Sequence, residues 1–157
     1  MTAPVTYSFL DVQASISGPG GSYSIGSGAG AAEEGISIEP TEDLNTMTIG
    51  ADGSVMHSLH ANKSGRVVVR LLKNSPTNAR LSQMAQIQRA SSALHGVNVI
   101  TIANPQTGDK IVCQSVAFGK IPAVNYAKEG GTVEWDFHAG IIDQSLAGLL
   151  LSVANQV

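Results

Sequence analysis

The sequence predicts a mainly β domain flanked by one α-helix. Apolar and polar residues alternate with period two in several segments, and only one segment combines helical apolar spacing with clear start and stop signals. Gly and small polar residues are abundant, whereas aromatics make up 4% and charged residues 13% of the chain, the usage of a turn-rich β protein. At 157 residues the expectation is one domain, 1–157, with one core.

The elements follow in order. Residues 5–18, "VTYSFLDVQASISG", read as a strand with neither face clearly polar. Residues 18–45 read as a loop or linker: seven glycines fall between Gly18 and Gly35, with a short strand at Ser22–Ile25 inside. From Thr46 the period is two, with Met47, Ile49 and Ala51 opposed to Thr46, Thr48 and Gly50. Asp52-Gly53 turns the chain back into "VMHSLH". In "SGRVVVRLL", Arg66, Val68 and Arg70 share one face and Val67, Val69 and Leu71 the other, so the arginines are expected to pair with acids on a neighbouring strand.

A helix is predicted over about 76–95. Ser75 suits the N-cap, Pro76 the first helical position and Gly96 the stop. Leu81, Met84, Ile87 and Leu94, with Ala85 and Ala90, form the apolar stripe, and Asn78, Gln83, Gln86, Gln88 and Arg89 the wet side. A second hairpin set follows: "VNVITIAN", "IVCQSVAFGKIP", "AVNYAK" and "TVEWDFHAGII". In the last, Val133, Trp135, Phe137 and Ala139 face the core and Glu134, Asp136 and His138 face water. Residues 143–157 read either as a helix, from Ile142, Leu146, Leu149, Leu150 and Val153, or as an extended arm.

Charge is polarised along the chain. Residues 1–62 carry seven acids and no Lys or Arg; residues 63–157 carry nine bases and five acids. A net −7 followed by +4 can be neutralised within one fold, or between the acidic part of one copy and the basic part of the next, a contact that closes into rings or propagates as filaments. No apolar run is long enough to span a bilayer, and the start lacks the features of a secretory signal, so a cytosolic chain without a membrane anchor is expected. Asn62-Lys63-Ser64 is then an incidental match to a glycosylation acceptor.

Nothing in the sequence assembles a catalytic or metal site, and no cofactor is expected. Cys113 is the only cysteine and reads as a small buried strand residue. His57 and His60, three apart on a strand, point to opposite faces. His95 lies at a helix end and His138 on a wet strand face. Gly26, Gly28 and Ala31 match a loose dinucleotide fingerprint, but no helix can open before Pro40, and no Gly-Lys-Ser/Thr follows a glycine loop. Glu134 and Asp136 share a face without aromatics to make a sugar cleft.

Four stretches carry a family resemblance: residues 6–12, "TYSFLDV"; 32–65, "AEEGISIEPTEDLNTMTIGADGSVMHSLHANKSG"; 71–79, "LLKNSPTNA"; and 126–137, "YAKEGGTVEWDF". Together they resemble the tail tube protein of contractile-tailed bacteriophages, from about Thr6 to Asp143. The resemblance implies a β-sandwich or barrel-like subunit, six copies closing a ring with a continuous inner β-barrel, and rings stacking into a tube. It further implies a contractile sheath around the tube; baseplate, tape-measure and tail-terminator proteins as partners; assembly in the bacterial host cytoplasm; and DNA passing through. The tube of a bacterial contractile injection machine is the nearest alternative, a small-ligand-binding β-barrel a more distant one. Within this reading, the acidic segment with Glu33, Glu34, Glu39, Glu42 and Asp43 is expected at a boundary between subunits, facing Lys63, Arg66, Lys73 or Arg80. The lumen candidates are Thr46, Thr48, Glu134 and Asp136, on a wall that does not hold DNA.

Overall fold

The computed structural model describes residues 6–146, and the backbone alone of residues 31–34. Seven strands form one antiparallel sheet in the order β2-β1-β7-β8-β9-β6-β3, while β4 and β5 form a separate two-stranded ribbon. The strands are β1 Gln13–Gly18, β2 Gly21–Ser24, β3 Ala31–Pro40, β4 Asn45–Ile49, β5 Val55–Leu59, β6 Gly65–Leu72, β7 Asn98–Asn104, β8 Asp109–Lys120 and β9 Thr132–Ser145. The one α-helix, α1, spans Thr77–Arg89.

The core gathers on one side of the large sheet. β9 contributes Val133, Trp135, Phe137 and Ala139, all buried as their alternation predicts, and β6 adds Val67, Val69 and Leu71. Ile16 of β1, Ile100 of β7, Cys113 and Val116 of β8, and Leu81 and Met84 of α1 complete a single cluster. Phe137 lies at its centre, fully buried, with the Phe118 ring at 4.9 Å. At Ser115, whose φ is +54°, the β7–β8 register slips between Ile100↔Cys113 and Asn98↔Val116. Gly140 lies opposite, where a Cβ would come within 3.0 Å of that serine. Both strands there step by three residues between inward positions, Cys113 to Val116 and Ala139 to Ile142, so β9 still reaches the core at Ile142, beyond the irregularity.

Several sequence expectations are corrected. Residues 5–18 are not one strand. Ser8 accepts a hydrogen bond from the Leu10 N–H and starts a 3-10 turn over Phe9–Asp11, so the strand begins only at Gln13. Residues 18–45 are not a linker: Ile36 and Ile38 pair with Val69 and Val67 and make residues 31–40 an edge strand on β6. The glycines ahead of it build the turn that docks the helix start. Ser75 Oγ donates to the Ala29 carbonyl, as does Thr77 Oγ1 at 3.3 Å. Gly30 sits beside them at φ +79°, where a Cβ would meet Ser75 at 2.8 Å.

The helix is shorter than predicted and rotated. Ser75 does accept from the Thr77 N–H, at 3.3 Å, but Pro76 occupies the cap position. The helix ends at Arg89, and Leu94 belongs to a separate 3-10 turn. Its buried line is Thr77, Leu81, Met84, Ala85 and Gln88, while Ile87 is 45% exposed. Gln88 turns inward because a partner waits there. Its amide donates to Asn98 Oδ1 at 2.7 Å and to the Pro19 carbonyl at 3.0 Å, and Asn98 Nδ2 donates back to Gln88 Oε1 at 2.8 Å. Trp135 Nε1 donates to Asn78 Oδ1 at 3.0 Å, tying the helix start to β9.

Residues 121–131 contain no strand, contrary to the expectation for "AVNYAK". Val124 and Tyr126 are exposed, and an alternation without a core to face gives a strand no reason to pair. Residues 143–145 continue β9 rather than starting a helix or an arm; residues 147–157 lie outside the described residues.

Candidate assembly surfaces

Four kinds of surface carry what this fold can do. The first is the outer face of β6 and β9, where the arginines meet acids of their own chain as the alternation predicts. Arg66 Nε donates to Asp136 Oδ1 at 2.7 Å, and the guanidinium of Arg70 lies 3.8 Å from Glu134. Arg70 also donates to Ser37 Oγ of β3 at 2.8 Å. The Asp136 side chain is only 14% exposed, whereas that of Glu134 is 56% exposed. The hydrogen bond and the charge of Asp136, together with the nearby Glu39 and Glu134, hold the Arg66 guanidinium above its ordinary pKa. Both lumen candidates on β9 are thus ion-paired, Asp136 closely and largely buried, Glu134 more loosely and facing water.

The second surface is the β4–β5 ribbon. Gly50 accepts from the Gly53 N–H at 3.0 Å and donates to the Ser54 carbonyl at 2.7 Å, and Asp52 accepts from the Ser54 N–H at 3.0 Å. This is the turn expected at Asp52-Gly53. The register Asn45↔Leu59, Met47↔His57, Ile49↔Val55 puts four large apolar side chains, Met47, Ile49, Val55 and Leu59, on one face. Each is more than half exposed. Thr46 and Thr48, the other two lumen candidates, share the opposite face with Ser58 and Met56. They thus belong to a different sheet from Glu134 and Asp136. The histidines diverge as predicted: His57 bonds Asn45 at 3.0 Å, and His60 bonds Thr46 at 2.8 Å. A two-stranded ribbon with an uncovered apolar face has little independent stability in water.

The third surface is the pair of sheet edges. β2 and β3 are the outer strands and have no further strand beyond them among the described residues. Along the ten residues of β3 the outward backbone donors and acceptors have no strand partner among the described residues, the feature that lets another chain add a strand.

The fourth is the acidic segment and the bases expected to meet it. Glu33 and Glu34 lie in β3, their side chains outside what the structure describes. Glu39 is exposed and in register with Arg66 of the same chain, a partner already shared with Asp136. Glu42 and Asp43 are exposed and, among the described residues, form no ion pair. Of the proposed basic partners, Lys63 donates to Asp143 at 2.8 Å and Arg66 serves Asp136. Both are therefore engaged within the chain, each with an acid of β9. Lys73 donates to the Asn125 carbonyl, with its ammonium 3.8 Å from the Tyr126 ring centroid. Arg80 lies over the Tyr23 ring at 5.9 Å. Sequence reasoning missed Arg89 and Lys120, which form no ion pair among the described residues; for Arg89 a signal was available, since no Asp or Glu occurs between Asp52 and Asp109, whereas Lys120 lies beyond that stretch.

No group of three or more His, Cys, Asp or Glu side chains gathers to hold a metal among the described residues. Cys113 is fully buried, and burial pushes its thiol up to about 11. The native protein at pH 8 is therefore expected to leave the thiol unlabelled by a water-soluble disulfide reagent, with one equivalent reacting in denaturant. Rapid labelling of folded protein would contradict that placement.

Comparison with known proteins follows the same lines. The profile of the family described as bacteriophage PhiTE tail tube protein matches residues 4–147. No functionally curated protein sequence matches the chain. Among solved structures, a chain of the anti-feeding prophage tube-terminating cap superposes with a TM-score of 0.56 at 10% identity, covering 93% of this chain and 95% of that one. The sheath/tube terminator of the extracellular contractile injection system PVC, in its extended state, gives 0.56 at 10% identity, with 92% and 97% covered. A chain of the PVC sheath–tube complex gives 0.53 at 10% identity, with 85% and 88% covered. At such identities these likenesses speak to the fold.

Proposed function

Given that this chain belongs to the bacteriophage PhiTE tail tube protein family, we propose that it is the repeating subunit of a virion's inner tail tube. In this reading six copies close a ring, rings stack, and the resulting channel carries DNA from the capsid to the host inside a contractile sheath. The observation that carries the reading beyond the family is the unfinished state of the single subunit. Among the described residues nothing covers the ten-residue edge β3 or the apolar face of the ribbon β4–β5, and further copies of the same fold would complete both. Sideways contacts that join edge strands remove the edges, and end-to-end contacts repeat the same operation along an axis. A sheath, a baseplate, a tape-measure protein and a terminator are the partners such a tube requires.

Passing DNA calls for a wall that does not hold phosphate, because each neutralised phosphate releases counterions and strengthens attachment. The net charge of −3 and the pairing of Arg66 and Arg70 with carboxylates fit that requirement. Thr46, Thr48, Glu134 and Asp136 are the proposed lumen residues. A tube that delivers protein is the second reading, favoured by the likeness of fold to injection-system chains. Light scattering on concentrated protein is expected to give a mass at or above six times 16.2 kDa. Assembled tubes are expected to retain no duplex DNA on a filter at physiological salt. A monomer at all concentrations would remove the tube reading, and tight salt-sensitive DNA retention would remove the conduit.

A further inference from the structure

We propose that the groove between the second half of α1 and the end of β8 receives the Glu42–Leu44 corner of a second copy of the chain. The inference rests on the reading of the protein as a self-assembling tube subunit. The groove has a volume of about 230 Å³ and is lined by the apolar Ala85, Phe118 and Ile121 together with the bases Arg89 and Lys120 and by His95.

Of the two rim bases, Lys120 lies in register with Asp136 of β9, whose carboxylate is held by Arg66, and neither Lys120 nor Arg89 forms an ion pair among the described residues. Between Asp52 and Asp109 the sequence holds no acid, so every base there must find its carboxylate elsewhere. Lys63, Arg66 and Arg70 find theirs on β9. Arg89, His95 and Lys120 have no ion pair among the described residues, and no carboxylate lines the groove. Two bases and a histidine around an apolar depression select a ligand that is acidic and apolar at once.

The same chain presents such a ligand. Glu42 and Asp43 are exposed without an ion pair among the described residues, and the next residue, Leu44, is 74% exposed. The corner is held in shape at both ends: the Thr41 N–H donates to the Ser64 carbonyl at 3.0 Å, and Leu44 accepts from the His60 N–H at 3.0 Å. It therefore enters an interface with little further ordering to undergo. Leu44 suits the apolar lining, and the two carboxylates suit the rim. The contact joins two different patches and is heterologous, the type that closes a ring or extends a stack.

The test uses full-length protein with the surface pairs Glu42→Lys with Asp43→Lys, and Arg89→Glu with Lys120→Glu. Each double variant is expected to keep the wild-type circular dichroism and Tm while its critical concentration for assembly rises more than tenfold. All four substitutions together are expected to restore assembly. In addition, Asp43→Cys with Lys120→Cys is expected to give disulfide-linked chains in assembled tubes under mild oxidation, with Cys113 buried and silent. Unchanged assembly of both doubles, or no cross-link in intact tubes, would overturn the groove assignment alone. So would Arg89→Glu with Lys120→Glu tubes that form normally but fail to take up added sheath protein, since the groove would then belong to that partner. Wild-type protein that never assembles would overturn the tube reading itself.

Discussion

Phe137→Ala is expected to destabilise the subunit by about 3–5 kcal/mol, a fall in Tm of roughly 6–20 °C for a domain of this size. The ring is fully buried at the middle of β9. Its register neighbours are Val67 on β6 and Phe118 on β8, so truncation leaves a cavity bordered by three strands of one sheet. Strands held by two ladders of backbone hydrogen bonds cannot close in to fill it, which places the loss toward the upper part of the range for large-to-small changes. Phe137→Leu is expected to cost less than half as much, because most of the volume is kept. Equal losses for the two variants, by denaturant unfolding, would show that the site tolerates voids and that the core centre lies elsewhere.

Gln88→Leu is expected to cost about 2–3 kcal/mol, although it replaces a polar residue by an apolar one in the interior. The change removes both donors that serve Asn98 Oδ1 and the Pro19 carbonyl, and the acceptor of Asn98 Nδ2. Asn98 is fully buried, and a buried amide without partners bears its full desolvation penalty. Adding Asn98→Leu to Gln88→Leu is expected to recover part of the loss, since two apolar side chains need no partners; the Pro19 carbonyl alone stays unserved. A double-mutant cycle measures that recovery directly. Losses that simply add would mean the two amides act independently, contrary to their reciprocal bonds.

These two sites mark how much of the structure was legible in the sequence. Phe137 was readable because β9 faces core on one side and water on the other, and strict alternation from Val133 to Ala139 states as much without knowledge of any neighbour. The Arg66 and Arg70 pairing was readable for the same reason, as two charges of one sign alternating on a strand need acids across the ladder. Gln88 was not. It and Ile87 are adjacent on the helix, so spacing alone cannot say which of them faces in, and the choice was settled by Asn98, on a strand beyond the end of the helix. β3 was hidden by the glycines before it and by Pro40 at its end, features that mark loops but also serve edge strands. Lys63 illustrates the limit for the assembly surfaces. Its charge was visible, whereas its engagement with Asp143 depends on β9 continuing past the point where the alternation changes phase. Arg89 stands in a stretch of sequence without acids, but only the occupied partners of Lys63, Arg66 and Arg70 single it out from the other bases there.

The central claim is that this chain builds a tube from copies of itself, and electron micrographs of the purified wild-type protein at high concentration test it most directly. Hollow tubes of uniform width are expected, built of stacked rings that show six-fold symmetry end-on. Fields of separate particles of single-subunit size at every concentration would contradict it.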